Sequence, residues 1–320
     1  MSNNHPQKRA AIFGLMSALV YGLSARWLTE SNSLGIGIFG VMSLAFLICV
    51  PIVMGVLSVL PLAKPTVGQA IVVPMIGVLL TFCMTVVFNW EGAICVIMAI
   101  GPSLILSAIA GLLTRYFSSR SEPNKATKGL YAVVLLPLLI GPLESLYEAP
   151  LDLRNVRSEI MIAATAEEVW EQIVEVPTIE EDEQRPALFT SMGFPRPLSA
   201  MVDRRALGGL RQARFEGGVL FLERITRFEP NRALEFTIDV QEELIPETTL
   251  DPHVTIGGPF FDVLIGAYEI EACEGGVLLH LRSELRVSTR FNFYASFWAD
   301  LIMASIQDNI LGVIKRRAEG

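Results

Sequence analysis

Few residues of this 320-residue chain have a spacing that could support chemistry, and the best-spaced pair is Asp251 and His253. A carboxylate and an imidazole two residues apart can act together as a general acid and base, which gives the pair a catalytic interpretation. Asp251 precedes a proline and lies shortly before two glycines, where aspartate is also a common turn residue. Because no nucleophile with a partner is evident, the sequence leaves both interpretations open.

Metal and cofactor chemistry find little support in the composition. The chain has three histidines and four cysteines, and no two cysteines form a CxxC pair. These counts argue against a histidine-rich metal centre, a zinc site and a disulfide framework. The sequence contains no GxGxxG stretch, P-loop or HExxH motif. We therefore predict neither a metal ion nor a cofactor.

The composition changes abruptly near Glu148–Pro150. Residues 1–148 carry eight Lys and Arg against five Asp and Glu, a net charge of +3, whereas the remaining 172 residues carry 17 against 28, a net charge of −11. The change predicts a membrane domain over residues 1–148, a linker over 149–154 and a soluble domain over 155–320. The acidic second half argues against a nucleic-acid partner, which would require a basic patch.

Five apolar runs fill the first half, and most reach the roughly 20 residues that cross a bilayer as a helix. The predicted spans cover residues 10–28, 34–60, 67–88, 93–117 and 129–147. Small residues recur every four positions in two of the runs, and such stripes let helices pack closely in lipid. They are Gly14, Ala18 and Gly22 in the first run, and Ala99, Ser103, Ser107 and Gly111 in the fourth. The sequence therefore predicts a multi-pass α-helical membrane bundle.

Charged residues are scarce inside these runs. Glu30, Glu91 and Glu144 all lie at run ends, so no chain of carboxylates is available to relay a proton or an ion. Arg26, near the end of the first run, is interpreted as an anchor whose guanidinium extends to the membrane interface. The bundle is therefore predicted to be an anchor rather than a transporter.

Lysines and arginines occur in every second connection between the apolar runs, and this distribution predicts the orientation of the bundle. They lie before the first run, at Lys64 and between residues 115 and 128, whereas the connections near Glu30 and Glu91 contain none. We therefore expect an integral protein, of the bacterial inner membrane, with a cytoplasmic amino terminus. The soluble domain is extracytoplasmic if the fifth run crosses the bilayer, and cytoplasmic if this short, proline-interrupted run is re-entrant.

The second half begins with a strand and a short helix. Val156–Ile162 has the pattern of a strand, and Thr165 with Glu168 three residues later forms a capping box that starts a helix. Five to six strand-like segments follow, separated by glycine and proline turns. These features predict a mainly antiparallel sheet.

Two further patterns complete the domain. In the last strand-like segment, alternation places His280, Arg282, Glu284 and Arg286 together on a solvent-facing side. Asn292 can cap a final helix that runs to about Arg317 and carries a broad apolar stripe. This helix is expected to cover the apolar face of the sheet.

The ordered motifs of residues 155–318 resemble the START-like, or SRPBCC, superfamily that includes polyketide cyclase-like proteins. The resemblance depends on the stretches Ala164–Trp170, Gly208–Arg211, Glu223–Pro230 and Gly266–Tyr268, and on the long carboxy-terminal helix. It implies an α+β helix-grip domain, in which an antiparallel sheet wraps on that helix. It also implies an apolar cavity for a lipid, sterol, polyketide or similar hydrophobic ligand. The resemblance does not extend to the membrane half.

The candidate cavity residues lie on one strand and on the last helix. Tyr268 alternates with Leu264 on one strand face, and the helix offers Trp298, Ile302, Ser305 and Asn309. A cavity of this kind needs apolar walls and a few polar groups that orient the ligand. Tyr268, Ser305 and Asn309 are equally compatible with ordinary core and loop packing.

Three functions fit this sequence. The first is a membrane-anchored domain that binds or handles a hydrophobic small molecule or membrane lipid. The second is a cyclase- or hydratase-type enzyme that uses Asp251, His253 or Tyr268 on a hydrophobic substrate. The third is a membrane-anchored protein-interaction module. Fold alone does not separate them.

Overall fold

The computed structural model describes residues 5–30, 40, 42–120, 132–184, 189, 194–240 and 256–320. The chain divides into two compact units, Met1–Ala149 and Pro150–Gly320. The first unit consists of apolar helices and the second of a sheet with helices, so the predicted fold class is confirmed. Each unit is described by itself.

The described residues of the first unit form five helices. They are α1 (His5–Glu30), α2 (Val50–Val59, preceded by a π-helical turn Ala45–Cys49), α3 (Val67–Val87), α4 (Ala93–Arg120) and α5 (Leu136–Ser145, preceded by a 3-10 turn Val133–Leu135). Three of the segments are long and apolar enough to cross a membrane, namely Pro6–Thr29, Val67–Val87 and Ala93–Arg120. The helices Ala45–Val59 and Val133–Ser145 are apolar but shorter. These apolar helices fit a membrane protein.

Glycines bring the helices of this unit into close contact, as the small-residue stripes predict. A Cβ on Gly14 would lie 2.4 Å from the Ser58 carbonyl oxygen of α2, and one on Gly111 would lie 2.1 Å from the Ala70 carbonyl oxygen of α3. Such distances are possible only without a side chain. The small residues therefore set the spacing between the backbones.

Arg26 does not extend to an interface, so its interpretation as an anchor was wrong. Its side chain is 1% exposed, and its Nε donates a hydrogen bond to Glu91 at 2.5 Å. Its Nη2 donates to the Trp90 carbonyl oxygen. A buried guanidinium must have partners, and the connection between α3 and α4 supplies them.

The second unit is built on a seven-stranded antiparallel sheet in the order β1-β7-β6-β5-β4-β3-β2. The strands are β1 (Asp152–Ile162), β2 (Pro197–Val202), β3 (Leu210–Phe215), β4 (Leu220–Glu229), β5 (Ala233–Val240), β6 (Phe261–Cys273) and β7 (Gly276–Val287). The helix α6 (Ala166–Val174) follows β1, and α7 (Asn292–Ala318) ends the chain. β1 starts inside the predicted linker, four residues before Val156.

The helix α7 runs along β1 in the same direction. Near its start the Asp300 carboxylate accepts a hydrogen bond from Arg154 at 2.6 Å, and near its end Lys315 donates to the Met161 carbonyl oxygen at 2.8 Å. Although α7 is also apolar and long enough to span a membrane, its buried face packs on the sheet. Asn292 is the first residue of α7 and does not cap it, because its side chain binds Thr289 and Pro150 instead.

The strand register defines two ends of the sheet. Asp152, where the chain enters the unit, lies opposite Val287, which in turn lies opposite Phe261. We call this the entry end, and we call the opposite end, with Ile162 and Gly276, the far end. The turn between β2 and β3 points away from the entry end.

The outer face of β7 is more covered than predicted. His280 is 7% exposed because the Glu159 and Glu271 carboxylates lie 3.1 and 3.3 Å from its two ring nitrogens. Both glutamates come from the neighbouring strands β1 and β6. The long glutamate side chains of the two neighbouring strands thus shield His280 from solvent.

Candidate functional site

A cavity of about 110 Å³ lies between the inner face of the sheet and α7. Its walls are mostly apolar. Among the described residues the polar side chains of the lining are Ser199, Arg211, Glu223, Tyr268, Ser283 and Gln307. The combination of apolar walls and a few polar groups is typical of a small-molecule site.

Arg211 and Glu223 form a buried ion pair in the cavity wall. They lie directly opposite each other on β3 and β4, and Arg211 Nη1 donates a hydrogen bond to Glu223. Each residue is 4% exposed. A buried charge of either sign alone would cost several kcal/mol, so the pairing is what allows both to stay in the wall.

The remaining donors of Arg211 bind the end of α6. Nε donates to the Val174 carbonyl oxygen and Nη2 to that of Ile173, both at 3.3 Å. These are carbonyls of the last helical turn, which lack partners within the helix and carry its negative dipole end. The guanidinium carbon also lies 5.4 Å from the centroid of the Phe236 ring, within cation–π range. Arg211 is therefore held on three sides.

Tyr268 completes the polar cluster. It lies within hydrogen-bonding reach of Arg211, and burial raises the pKa of its hydroxyl to about 12. Burial also raises the pKa of Glu223, against the opposing charge of Arg211. Burial lowers the pKa of Arg211, but the Glu223 charge, Tyr268 and the hydrogen bonds to both together outweigh burial, so that pKa is raised. The cavity thus presents a protonated phenol beside a cation that keeps its proton at neutral pH.

A second polar position faces the cavity from α7. Gln307 is 1% exposed, and its Nε2 donates to the Val156 carbonyl oxygen at 3.1 Å and to Ser283 Oγ at 2.9 Å. Because the Val156 carbonyl can only accept, the orientation of the amide is fixed. Within the described part of the chain, Gln307 Oε1 accepts no hydrogen bond. Such an orphaned buried acceptor requires an explanation, and a bound ligand could supply the missing donor.

The polar cluster lies among apolar side chains of the cavity wall. Phe221, Phe261 and Val263 belong to that wall, and Glu223 is only two residues from Phe221 along β4. The polar groups are therefore in direct reach of the aromatic part of the cavity.

On β6 the structure places one of the two predicted residues in the cavity. Tyr268 is in the lining, but Leu264 is not, and Val263 takes its place. The reason is a register shift between Val263 and Ile265, which makes Leu264 an extra residue in the strand. A bulge of this kind moves the alternation from one face to the other.

On α7 the structure brings Ile302 into the lining, but not Trp298, Ser305 or Asn309. The lining stripe of the helix contains Ile302, Met303, Ile306, Gln307, Ile310, Val313 and Ile314. Ser305 lies about 100° around the helix from Ile306, and Asn309 binds Gln184 at 3.4 Å. The predicted stripe was therefore broader than the face that lines the cavity.

The remaining prediction concerns Asp251 and His253, which lie outside the described residues.

Arg211 and Glu223 are site residues that the sequence analysis missed. Their signal is the alternation of Phe221, Glu223 and Ile225, which places a glutamate among residues of the inner face. A second register shift between Ile225 and Arg227 obscures that alternation along the rest of β4.

No family model matches the chain, and no curated protein matches it. Solved structures do match part of it. Protein CV1439 from Chromobacterium violaceum is 12% identical, with 52% of this chain and 97% of that chain covered and a TM-score of 0.32. Ara h 8.0201 is 11% identical over 53% of this chain and 100% of that chain, with a TM-score of 0.34.

The di-domain ARO/CYC protein StfQ from the steffimycin biosynthetic pathway is another match. It is 9% identical, with 62% of this chain and 61% of that chain covered and a TM-score of 0.32. Similarities this weak carry no argument about function. The helix-grip assignment rests on the order of the strands and on the packing of α7 against them.

Proposed function

We propose that this chain is a membrane-anchored protein that binds a hydrophobic small molecule or lipid in the cavity between the sheet and α7. The observation that supports the proposal best is the apolar cavity with one buried polar cluster, Arg211, Glu223 and Tyr268. A domain built only to present a protein-binding surface needs no such cavity. The ligand-binding interpretation is therefore preferred over the interaction module.

The volume of the cavity limits the size of the ligand that it can hold. An apolar cavity of about 150 Å³ accepts a molecule such as benzene, whereas pockets for drug-sized ligands reach about 300–1,000 Å³. The 110 Å³ here corresponds to one ring or a short chain segment. A whole lipid or polyketide would fit only if the walls of the cavity moved apart. At its present volume the cavity holds only part of such a molecule.

The charge of the polar cluster indicates the kind of polar group that it prefers. The Arg211 guanidinium is already neutralised by Glu223, and Tyr268 keeps its proton. A ligand with a carboxylate or phosphate would place an additional anion beside Glu223 in a medium of low dielectric constant. We therefore expect an uncharged hydroxyl or carbonyl as the polar group.

The first unit is the proposed membrane anchor of the protein. Its long apolar helices fit a membrane protein, and only residues 146–151 separate α5 from β1. Apolar ligands partition into the bilayer, so a domain on a tether this short meets them at high local concentration. We propose the bacterial inner membrane as the location.

The proposal is tested by identifying what the full chain carries after purification in detergent. We expect mass spectrometry of the extracted material to show one class of uncharged amphiphile at a stoichiometry near one. Ala213→Leu, which fills the cavity from β3, should abolish the bound species, whereas Ala213→Ser keeps the volume and should retain it. Equal amounts of ligand with both variants would contradict the site.

A second candidate function is a cyclase- or hydratase-type enzyme, and the polar cluster is the observation that favours it. A phenol of pKa about 12 beside a fixed cation can donate a proton or hydrogen bond to a developing oxyanion. The same purification distinguishes the two functions through Tyr268→Phe. Recovery of a chemically different, unconverted molecule from this variant indicates an enzyme, and recovery of the same molecule indicates binding alone.

A further inference from the structure

The first half of α7 carries an exposed apolar stripe. Phe293, Phe297 and Leu301 are spaced by four residues, so they share one face of the helix. Their exposed fractions are 80%, 58% and 43%. The stripe is about 12 Å long, because eight residues separate its ends at 1.5 Å per residue. Asp308 is the next exposed residue of the helix and ends the stripe.

The stripe has no role in the core or in the cavity. The residues of α7 that line the cavity begin at Ile302 and Met303, and all three stripe residues are absent from the lining. Two of the three are aromatic, and among the described residues their only ring contact is that of Phe297 with the neighbouring Trp298, at 5.8 Å between centroids. A contiguous exposed apolar patch of this kind marks an interaction site more often than a structural one. The stripe therefore requires a partner outside this unit's core.

The stripe lies at the entry end of the sheet. Asn292, the residue before Phe293, donates a hydrogen bond from Nδ2 to the Pro150 carbonyl oxygen at 2.6 Å. One turn later, Ser296 Oγ lies 2.7 Å from the Asp152 carboxylate. The aromatic part of α7 is thus bound to the segment through which the chain arrives from the apolar helices.

We infer that this stripe inserts into the interfacial layer of the bilayer that holds the first unit. The residues 146–151 extend to at most about 20 Å, so the tether keeps the entry end near that layer. Aromatic side chains are enriched at the membrane interface, and apolar helix faces lie about 5–10 Å deep in it. Asp300, the charged residue nearest Leu301, is neutralised by Arg154.

A soluble protein partner fits the stripe less well. Three side chains offer far less than the roughly 1,000 Å² that a specific protein interface buries. A tethered domain needs no such area, because the tether already supplies a high effective concentration at the bilayer. The inference rests on the anchoring in the proposed function, and not on any ligand in the cavity.

Photocrosslinking of the full chain tests the inference. The chain is reconstituted in phosphatidylethanolamine and phosphatidylglycerol vesicles with p-benzoylphenylalanine in place of Phe297. A matched variant carries the same residue at Leu207, which is 65% exposed in the turn between β2 and β3, away from the entry end. A third variant carries it at Ile105, 62% exposed in α4, as a positive control for lipid contact.

We expect lipid adducts at position 297 in a yield close to that at position 105 and several times that at position 207. Adducts at 297 with residues of the first unit, or with a second copy of the chain, would overturn the inference, and so would no adduct at all. If position 105 labels lipid while 297 does not, the anchoring stands and only the docking fails. If position 105 also lacks lipid adducts, the membrane anchoring itself fails.

Discussion

Arg211 and Glu223 form an ion pair that is buried in the cavity wall. A buried ion pair is often no more stabilising than apolar residues of the same volume, because the cost of desolvating both charges offsets their attraction. Here the pair also faces a cavity, where it contacts Tyr268 rather than filling space. In the proposed function, the pair would orient a polar group of the ligand.

Glu183 and Arg317 form a pH-dependent contact in the second unit. Arg317 Nη2 donates to Glu183 at 2.7 Å, and this hydrogen bond lowers the pKa of Glu183 from 4.5 to about 2. The lowered pKa means that the folded state gains stability above pH 4.5. The gain is lost as the pH falls from about 4.5 to about 2, where Glu183 takes up its proton in the folded state.

We therefore predict that Glu183→Gln lowers the free energy of unfolding of residues 150–320 by about 1 kcal/mol at pH 7, a value reduced for its solvent exposure. The difference from the wild-type chain should disappear near pH 2. Hydrogen exchange of α7 in the detergent-solubilised chain measures it. Glu181→Gln, in the same exposed turn, serves as the control and should leave the exchange unchanged. A destabilisation independent of pH would contradict the assignment to this carboxylate.

At the scale of elements, the sequence predicted well wherever periodicity was unbroken. The capping box at Thr165 and Glu168 is present, since it depends on residues three positions apart. Leu264 was misplaced because a bulge depends on how two strands pair, which no local pattern records. Trp298 was misplaced because an apolar stripe does not specify which part of it faces a cavity and which faces other side chains.

Close helix packing gives a prediction within α4. A Cβ on Gly111 would lie 2.1 Å from the Ala70 carbonyl oxygen, whereas one on Gly101 of the same helix meets nothing within 4 Å. Gly111→Val should therefore force α3 and α4 apart and destabilise the first unit by about 1–3 kcal/mol. Thermal unfolding in detergent measures the loss. Gly101→Val is the matched control and should unfold close to the wild-type temperature; equal losses would show that close contact is not the cause.

At the scale of the whole molecule, the chain leaves the first unit at the carboxyl end of α5, and the position of that end within the unit can be determined. The Glu144 carboxylate accepts hydrogen bonds from the Leu44 and Ala45 amides, both at 2.9 Å, so the end of α5 lies at the start of the helix containing α2. Because Gly14 lies near Ser58 and Gly22 near Met54, α1 and α2 are antiparallel. The start of that helix is therefore at the end of the unit where α1 finishes.

The basic residues lie at the other end. Arg115 Nε donates to the Pro65 carbonyl oxygen at 2.9 Å, next to Lys64, and Gln7 near the start of α1 bonds to Ala63. Positive charge marks the cytoplasmic side. Although α5 is too short to span the bilayer alone, its carboxyl end thus lies opposite the basic end. We therefore propose that the second unit is extracytoplasmic.

We predict that a membrane-impermeant maleimide applied to intact cells labels Glu274→Cys but not Lys64→Cys. Glu274 is exposed in the turn between β6 and β7, and Lys64 is exposed at the basic end of the first unit. Both variants should label after the cells are permeabilised, which shows that each thiol is reactive, and Cys273→Ser in both backgrounds removes the neighbouring native thiol. The reverse labelling pattern would place the cavity domain in the cytoplasm. The proposed ligand would then come from the cytoplasmic leaflet.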